Sequence, residues 1–113
     1  MLDILDAGTG NDKFVVSQIG AAGAIPPGGS TVTGVEALVW ASSADVNIDT
    51  TTTFTGLTSL TASAAAGPSF ITAAATTPIT ATQSGAGANI TVDGGSSQTV
   101  TSSGANVTVG ATT

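Results

Sequence analysis

The chain has no cysteine, histidine, tyrosine or arginine, and Lys13 is its only basic side chain. Each absence closes a class of function. Without Cys there is no disulfide and no thiolate metal site. Without His, Cys, Tyr or Arg there is no imidazole base, thiolate nucleophile or guanidinium clamp, and no serine has an evident partner base. A zinc site would have to use carboxylates alone, which is uncommon. The chain therefore reads as non-catalytic. One lysine cannot neutralise a phosphate backbone or hold an anionic membrane surface, so nucleic-acid binding and a polybasic membrane patch are excluded. No run approaches 18 apolar residues, so no helical membrane insertion is expected.

Charged residues make up 7% of the 113 and aromatics 4%, whereas hydrophobic residues reach 41%. Ordinary domains carry about 25% charged residues. The apolar share here is mostly Ala, Val, Ile and Leu, diluted by Ser, Thr and 15 Gly. Such side chains make a thin conventional core and suit long stacked sheets better. The net charge is −6, and six of the seven acids lie before residue 50 (Asp3, Asp6, Asp12, Glu36, Asp45 and Asp49), leaving Asp93 alone afterwards. The acidic half is where a divalent cation, if one binds, is expected. The amino terminus, MLDILDAG, has acids where a signal peptide would place basic residues. Either export uses a signal absent from this sequence, or Met1 is the start codon of an excised fragment, and the second is the expectation.

Residues 3–15, DILDAGTGNDKFV, carry the most specific motif. Ala7 to Val15 fits the calcium nonapeptide G-G-x-G-x-D-x-U-x everywhere but its first position, where Ala replaces Gly. Asp3-Ile4-Leu5-Asp6 supplies the last four positions of the preceding repeat. Calcium takes six or more oxygens near 2.4 Å. The turn can aim backbone carbonyls of Gly8 and Gly10 at one point, Asp12 adds a carboxylate, and Asp3 holds the equivalent place one repeat earlier. Phe14, like Leu5, is expected to plug the core behind the turn. In a roll the next coil completes such a site. Two nonapeptides on, that partner falls near residue 30, where Pro26-Pro27-Gly28-Gly29 offers no acid. The site is therefore expected to be incomplete, needing sequence before residue 1 or other ligands.

Three regions follow: 1–16, the end of a nonapeptide roll; 17–31, a Gly/Pro-rich loop; and 32–113, a β-solenoid segment. In the last, β-prone bursts alternate with Gly, Ser, Ala and Asn turns at about eight to twelve residues, which predicts many short strands. The bursts are 31–40, 46–49, 57–62, 69–73, 78–83, 89–92, 98–101 and 106–109. Gly87-Ala88-Asn89-Ile90-Thr91-Val92 recurs further on as Gly104-Ala105-Asn106-Val107-Thr108-Val109, with Gln98-Thr99-Val100-Thr101 between. Two strands per period is the geometry of a solenoid coil. The expected fold is all-β, a parallel β-helix or β-roll with two or more short strands per coil. An antiparallel sandwich is the competing architecture. Alternation predicts Ile90, Val92, Val107 and Val109 inward, Thr91 and Thr108 outward, and corners at Gly94-Gly95 and Gly104.

The remaining acids and Trp40 have plain readings. Asp45 and Asp49 would stand about 13 Å apart along a strand. Glycosidase carboxylates lie roughly 5–9.5 Å apart, so solvated acids or weak cation ligands are the expectation. Glu36 either points outward from a strand or closes a turn by hydrogen bonding. Trp40 is either a carbohydrate platform or a packed strand residue, and packing is expected.

The nonapeptide leads into V-x-G-V-E-x-L (Val32, Gly34, Val35, Glu36, Leu38), then FTGLTSLTA (54–62) and ANITVDGG (88–95). This combination resembles the repeats-in-toxin type surface-layer and related secreted giant proteins of Gram-negative bacteria. The resemblance implies a calcium-stabilised roll or parallel β-helix, type I secretion and assembly at the bacterial cell surface or in an extracellular matrix. It implies Asp3, Gly8, Gly10 and Asp12 as calcium ligands. The expected role is structural self-assembly as a homo-oligomer or lattice through the solenoid ends. The alternative is a stalk or ligand-binding module of a large adhesin, with Trp40 and the Thr-rich faces meeting a glycan or cell surface.

Overall fold

In a strand successive side chains point to opposite faces, so the alternation in this chain sorts each strand into a dry side and a wet side. The computed structural model describes residues 4–19, 31–103 and 106–110. The protein is all-β, with parallel sheets stacked as a solenoid of about 4 turns. The competing sandwich would pair its strands antiparallel, whereas every ladder described here is parallel.

Three sheets wall the interior. The longest has five strands: β2 (Lys13–Gln18), β4 (Ala37–Ser42), β7 (Ser59–Ala64), β9 (Pro78–Gln83) and β11 (Ser97–Ser102). The second has four: β5 (Asn47–Asp49), β8 (Ser69–Ala73), β10 (Ile90–Gly94) and β12 (Val107–Val109). The third joins β1 (Ile4–Asp6), β3 (Thr31–Thr33) and β6 (Phe54–Thr55). Two coils thus carry three strands each, β3-β4-β5 and β6-β7-β8, and the next two carry only β9-β10 and β11-β12. The coil shortens as the third wall drops out. The pairings record it: Lys13 lies beside Ala37 and Ala37 beside Ser59, but Leu60 lies beside Ile79 and Pro78 beside Ser97, which are closer in sequence.

Stacking in register builds the core as columns. Phe14, Leu38, Leu60 and Ile79 occupy one inward column of the five-stranded sheet, and Val16, Trp40, Ala62, Ala81 and Val100 the next. The alanines have a packing reason. Trp40 is fully enclosed, and the two coils that follow it in its column carry only Ala62 and Ala81, which offsets the bulk of the indole in a close-packed interior. From the opposite wall, Ile48, Ile71 and Val92 form the facing column. Buried polar side chains tie the corners: Thr77 Oγ1 donates to the Leu57 carbonyl at 2.9 Å, and Val46 N–H donates to Ser69 Oγ at 3.0 Å. Each satisfies a backbone group that no ladder reaches.

The predicted strands 69–73 and 78–83 coincide with β8 and β9. The predicted run 31–40 is broken in two by Gly34, whose φ of +71° turns the chain between β3 and β4. Ile90 pairs with Val107 and Thr91 with Thr108, the register expected from the repeat, and β11 lies between as the second strand of the period. Ile90 and Val92 are buried, but Val107 and Val109 are 43% and 54% exposed, contrary to expectation. β12 has a described neighbour on one side only, so among the described residues nothing seals its inner face. Gly94 and Gly95 do take positive φ at their corner. Gly104 and the Pro26–Gly29 cluster lie outside the described residues.

Candidate functional site

The nonapeptide turn joins β1 to β2 and is stacked on the turn that joins β3 to β4. Its first half is closed locally: Asp6 Oδ1 accepts the Gly8 N–H at 3.0 Å, as an acid two residues upstream often does in a turn. Gly8 (φ +92°) and Gly10 (φ +135°) supply the left-handed bends. The next coil then clasps the second half. Asp12 N–H donates to Glu36 Oε2 at 2.7 Å, and the Asp12 carbonyl accepts from the N–H groups of Glu36 at 3.0 Å and Ala37 at 3.1 Å. Behind the turn, Phe14 packs against the core and its ring centroid lies 6.5 Å from that of Phe54. Leu5, expected to plug the core in the same way, is exposed instead. Its strand belongs to the short third wall.

The carboxylate of Asp12 carries the site's clearest chemical signal. Its Oδ2 is buried and, among the described residues, has no hydrogen-bond partner. A buried unpaired carboxylate oxygen is costly unless a cation or water answers it. Gly10 leaves room beside it, since a Cβ there would stand 3.8 Å from that oxygen. Gly8 packs against the next coil, where a Cβ on Gly34 would come within 2.6 Å of the Gly8 carbonyl oxygen. Asp3 lies outside the described residues. The structure thus brings together Gly10 and Asp12 of the sequence-derived ligand set.

The partner turn is not near residue 30. It is Gly34-Val35-Glu36, because Lys13 pairs with Ala37 in the five-stranded sheet and the first coil is therefore longer than two nonapeptides. That shift brings a carboxylate, Glu36, onto the site. Of its two readings, Glu36 closes the turn by hydrogen bonding. The sequence signal for it was the G-V-E spacing, which no nonapeptide template contains. Against calcium's six to eight oxygens, this is part of a shell. Among the described residues no group of three or more acidic side chains is disposed to hold a metal ion.

Elsewhere the acids serve turns. Asp49 Oδ1 accepts from Thr51 N–H at 2.9 Å and from Thr51 Oγ1 at 2.5 Å. Asp93 Oδ1 accepts from Gly94 N–H at 2.9 Å. Trp40 is 2% exposed and donates from Nε1 to Gln18 Oε1 at 3.2 Å, so it is a packed strand residue and no surface platform. The geometry defines a parallel β-solenoid with a glycine-bent turn carrying Asp12 at its first described coil. Comparison of the chain with protein-family models, with curated proteins and with solved structures finds no match.

Proposed function

We propose that this chain is a structural, non-catalytic segment of a secreted, calcium-dependent surface-layer or extracellular-matrix protein that self-assembles at the bacterial cell surface. The observation that carries the reading is the pairing of a parallel solenoid, whose outermost described strands β2 and β11 have a described neighbour on one side only, with the orphaned Asp12 Oδ2 in its nonapeptide turn. Parallel coils present unpaired strand edges at each end of the stack, and such edges template addition of further strands. Exposed Val107 and Val109 on the inner face of β12 add an apolar incentive for another coil to dock there. A cation held by Asp12, the carbonyl of Gly10 and Asp3 would lock the turn against the Glu36 coil and couple calcium to the order of the first coil. Gly8 belongs to the same ligand set by resemblance.

Calcium titration followed by circular dichroism and light scattering tests this. The expected result is increased β signal and growth of scattering with added calcium, both reversed by chelator. No change in either would overturn the calcium-assembly reading. Scattering that rises without calcium dependence would leave assembly standing and remove the cation from it.

A further inference from the structure

The chain has four asparagines, and two of them stand in the pattern Asn-x-Thr: Asn89-Ile90-Thr91 and Asn106-Val107-Thr108. Asn11 and Asn47 do not, since Lys13 and Asp49 occupy the third place. With any residue but Pro at its centre, this triplet is the acceptor pattern for N-linked sugar. In so Thr-rich a chain the pattern alone arises easily, so the fold decides whether either copy is usable.

Both copies sit at the same place in successive coils. The Asn106 carbonyl accepts the Ile90 N–H at 3.1 Å, and the Asn89 carbonyl accepts the Ser69 N–H at 2.9 Å, so each asparagine leads into its strand with its backbone held. Alternation then puts asparagine and threonine on the same outer side, about 6.6 Å apart along the strand, with Ile90 or Val107 between them on the inner side. Both asparagines are exposed. The ordinary use of an exposed Asn or Asp beside a strand is to close a turn with its side chain. Asp6 does so for Gly8, and Asp49 for Thr51. Among the described residues neither Asn89 nor Asn106 makes a side-chain hydrogen bond, so turn closure does not account for them.

The ladder separates the two copies. β10 is paired with β8 on one side and β12 on the other, and Ile90 is fully buried. Among the described residues β12 is paired with β10 alone, and Val107 is 43% exposed. An enzyme that grips the triplet as extended chain needs backbone that the sheet has not already taken. β12 offers such an edge and β10 does not. We propose that Asn106 is an acceptor for N-linked glycosylation and that folding shields Asn89. The donor is a sugar joined at its anomeric carbon to a diphosphate, carried by a nucleoside or by a lipid. The Asn106 carboxamide nitrogen bonds to that carbon and the bond from the carbon to the phosphate oxygen breaks. The diphosphate leaves with the electron pair, and the amide proton passes to a base of the transferase. The Thr108 hydroxyl is the second group the transferase reads. Neither calcium nor assembly enters the site, so its failure leaves the proposed function as it stands.

The experiment offers the folded 113-residue chain to Asn-x-Thr-specific transferases in two arms, a soluble enzyme with UDP-glucose and a membrane enzyme with a lipid-diphosphate oligosaccharide. Circular dichroism confirms the β structure of the parent and each variant, and intact mass with peptide mapping reads the product. The expected result is one added glycan, on Asn106, and the arm that delivers it identifies the carrier. Asn106→Gln and Thr108→Val should abolish transfer, Thr108→Ser should keep it at a lower rate, and Asn89→Gln should leave it unchanged. No transfer to Asn106 in either arm overturns the proposal, as does equal modification of Asn89 in the folded chain.

Discussion

Asp12 and Glu36 clasp each other across two coils: the Asp12 N–H donates to Glu36 Oε2 at 2.7 Å, and the Glu36 N–H donates to the Asp12 carbonyl at 3.0 Å. One of the two bonds belongs to the backbone and survives substitution; the other depends on the side chain. Glu36→Ala leaves the Asp12 N–H without its charged acceptor and is expected to cost about 1–3 kcal/mol. Glu36→Gln keeps an acceptor oxygen and should lose less. Urea unfolding checks both, with a lower midpoint and an unchanged slope as the expected signature.

Gly34 and Gly56 both sit at positive φ, +71° and +84°, at equivalent turns of successive coils. They differ in what surrounds them. A Cβ on Gly34 would meet the Gly8 carbonyl oxygen at 2.6 Å and the Gly8 nitrogen at 2.9 Å, whereas a Cβ on Gly56 meets nothing within 4 Å. Gly56→Ala is expected to show backbone strain alone, about 1–2 kcal/mol. Gly34→Ala adds a clash with backbone that cannot rotate away, for a further cost of about 1–3 kcal/mol. Equal melting shifts for the two would contradict the stacking of the nonapeptide turn on Gly34.

What was legible in the sequence was whatever repeats or alternates within one strand. Ser69–Ala73 and Pro78–Gln83 alternate cleanly, and the Ile90 and Val107 segments are near copies, so their register could be read from the repeat itself. The coil length was not legible elsewhere. It shrinks along one sheet, from the Lys13–Ala37 step to the Ala37–Ser59 step to the Leu60–Ile79 step, because the third wall supplies β3 and β6 and then ends. No fixed period survives that drift. The same drift hid the partner of Asp12: a nonapeptide count lands near residue 30, while the coil actually closes at Glu36. Lys13–Gln18 was read through its metal motif, whose apolar position put Phe14 inward, where it lies; Val16 turns inward with it as in any other strand of the sheet.

Trp40 and Phe70 are the two aromatic residues for which burial decides the outcome, being 2% and 51% exposed. Trp40→Ala would open a void between coils whose neighbours in the column, Ala62 and Ala81, are too small to fill it. The expected loss is about 3–5 kcal/mol. Phe70→Ala on the outer face of β8 should stay within about 0.5 kcal/mol. Thermal melts of the two variants, compared with the parent, provide the measurement.

Gln83 is fully buried, and both ends of its amide are used. Nε2 donates to the Gly67 carbonyl at 2.8 Å, and Oε1 accepts the Gly85 N–H at 3.1 Å, so one side chain satisfies two backbone groups at the corner between β9 and β10. Gln83→Leu keeps the volume but leaves both groups orphaned, at roughly 1–3 kcal/mol each. Gln83→Glu is the sharper test. The carboxylate would face the Gly67 oxygen with no proton to offer, in a site that disfavours charge, so the folded-state pKa of Glu at this position is expected to rise. A raised pKa places the stability at low pH. The variant should approach the parent below the unfolded carboxyl value of about 4.3, where the acid can donate to Gly67, and weaken as pH rises through the folded value. A variant whose deficit is the same at acid and neutral pH would show that the corner does not depend on a donor at this position.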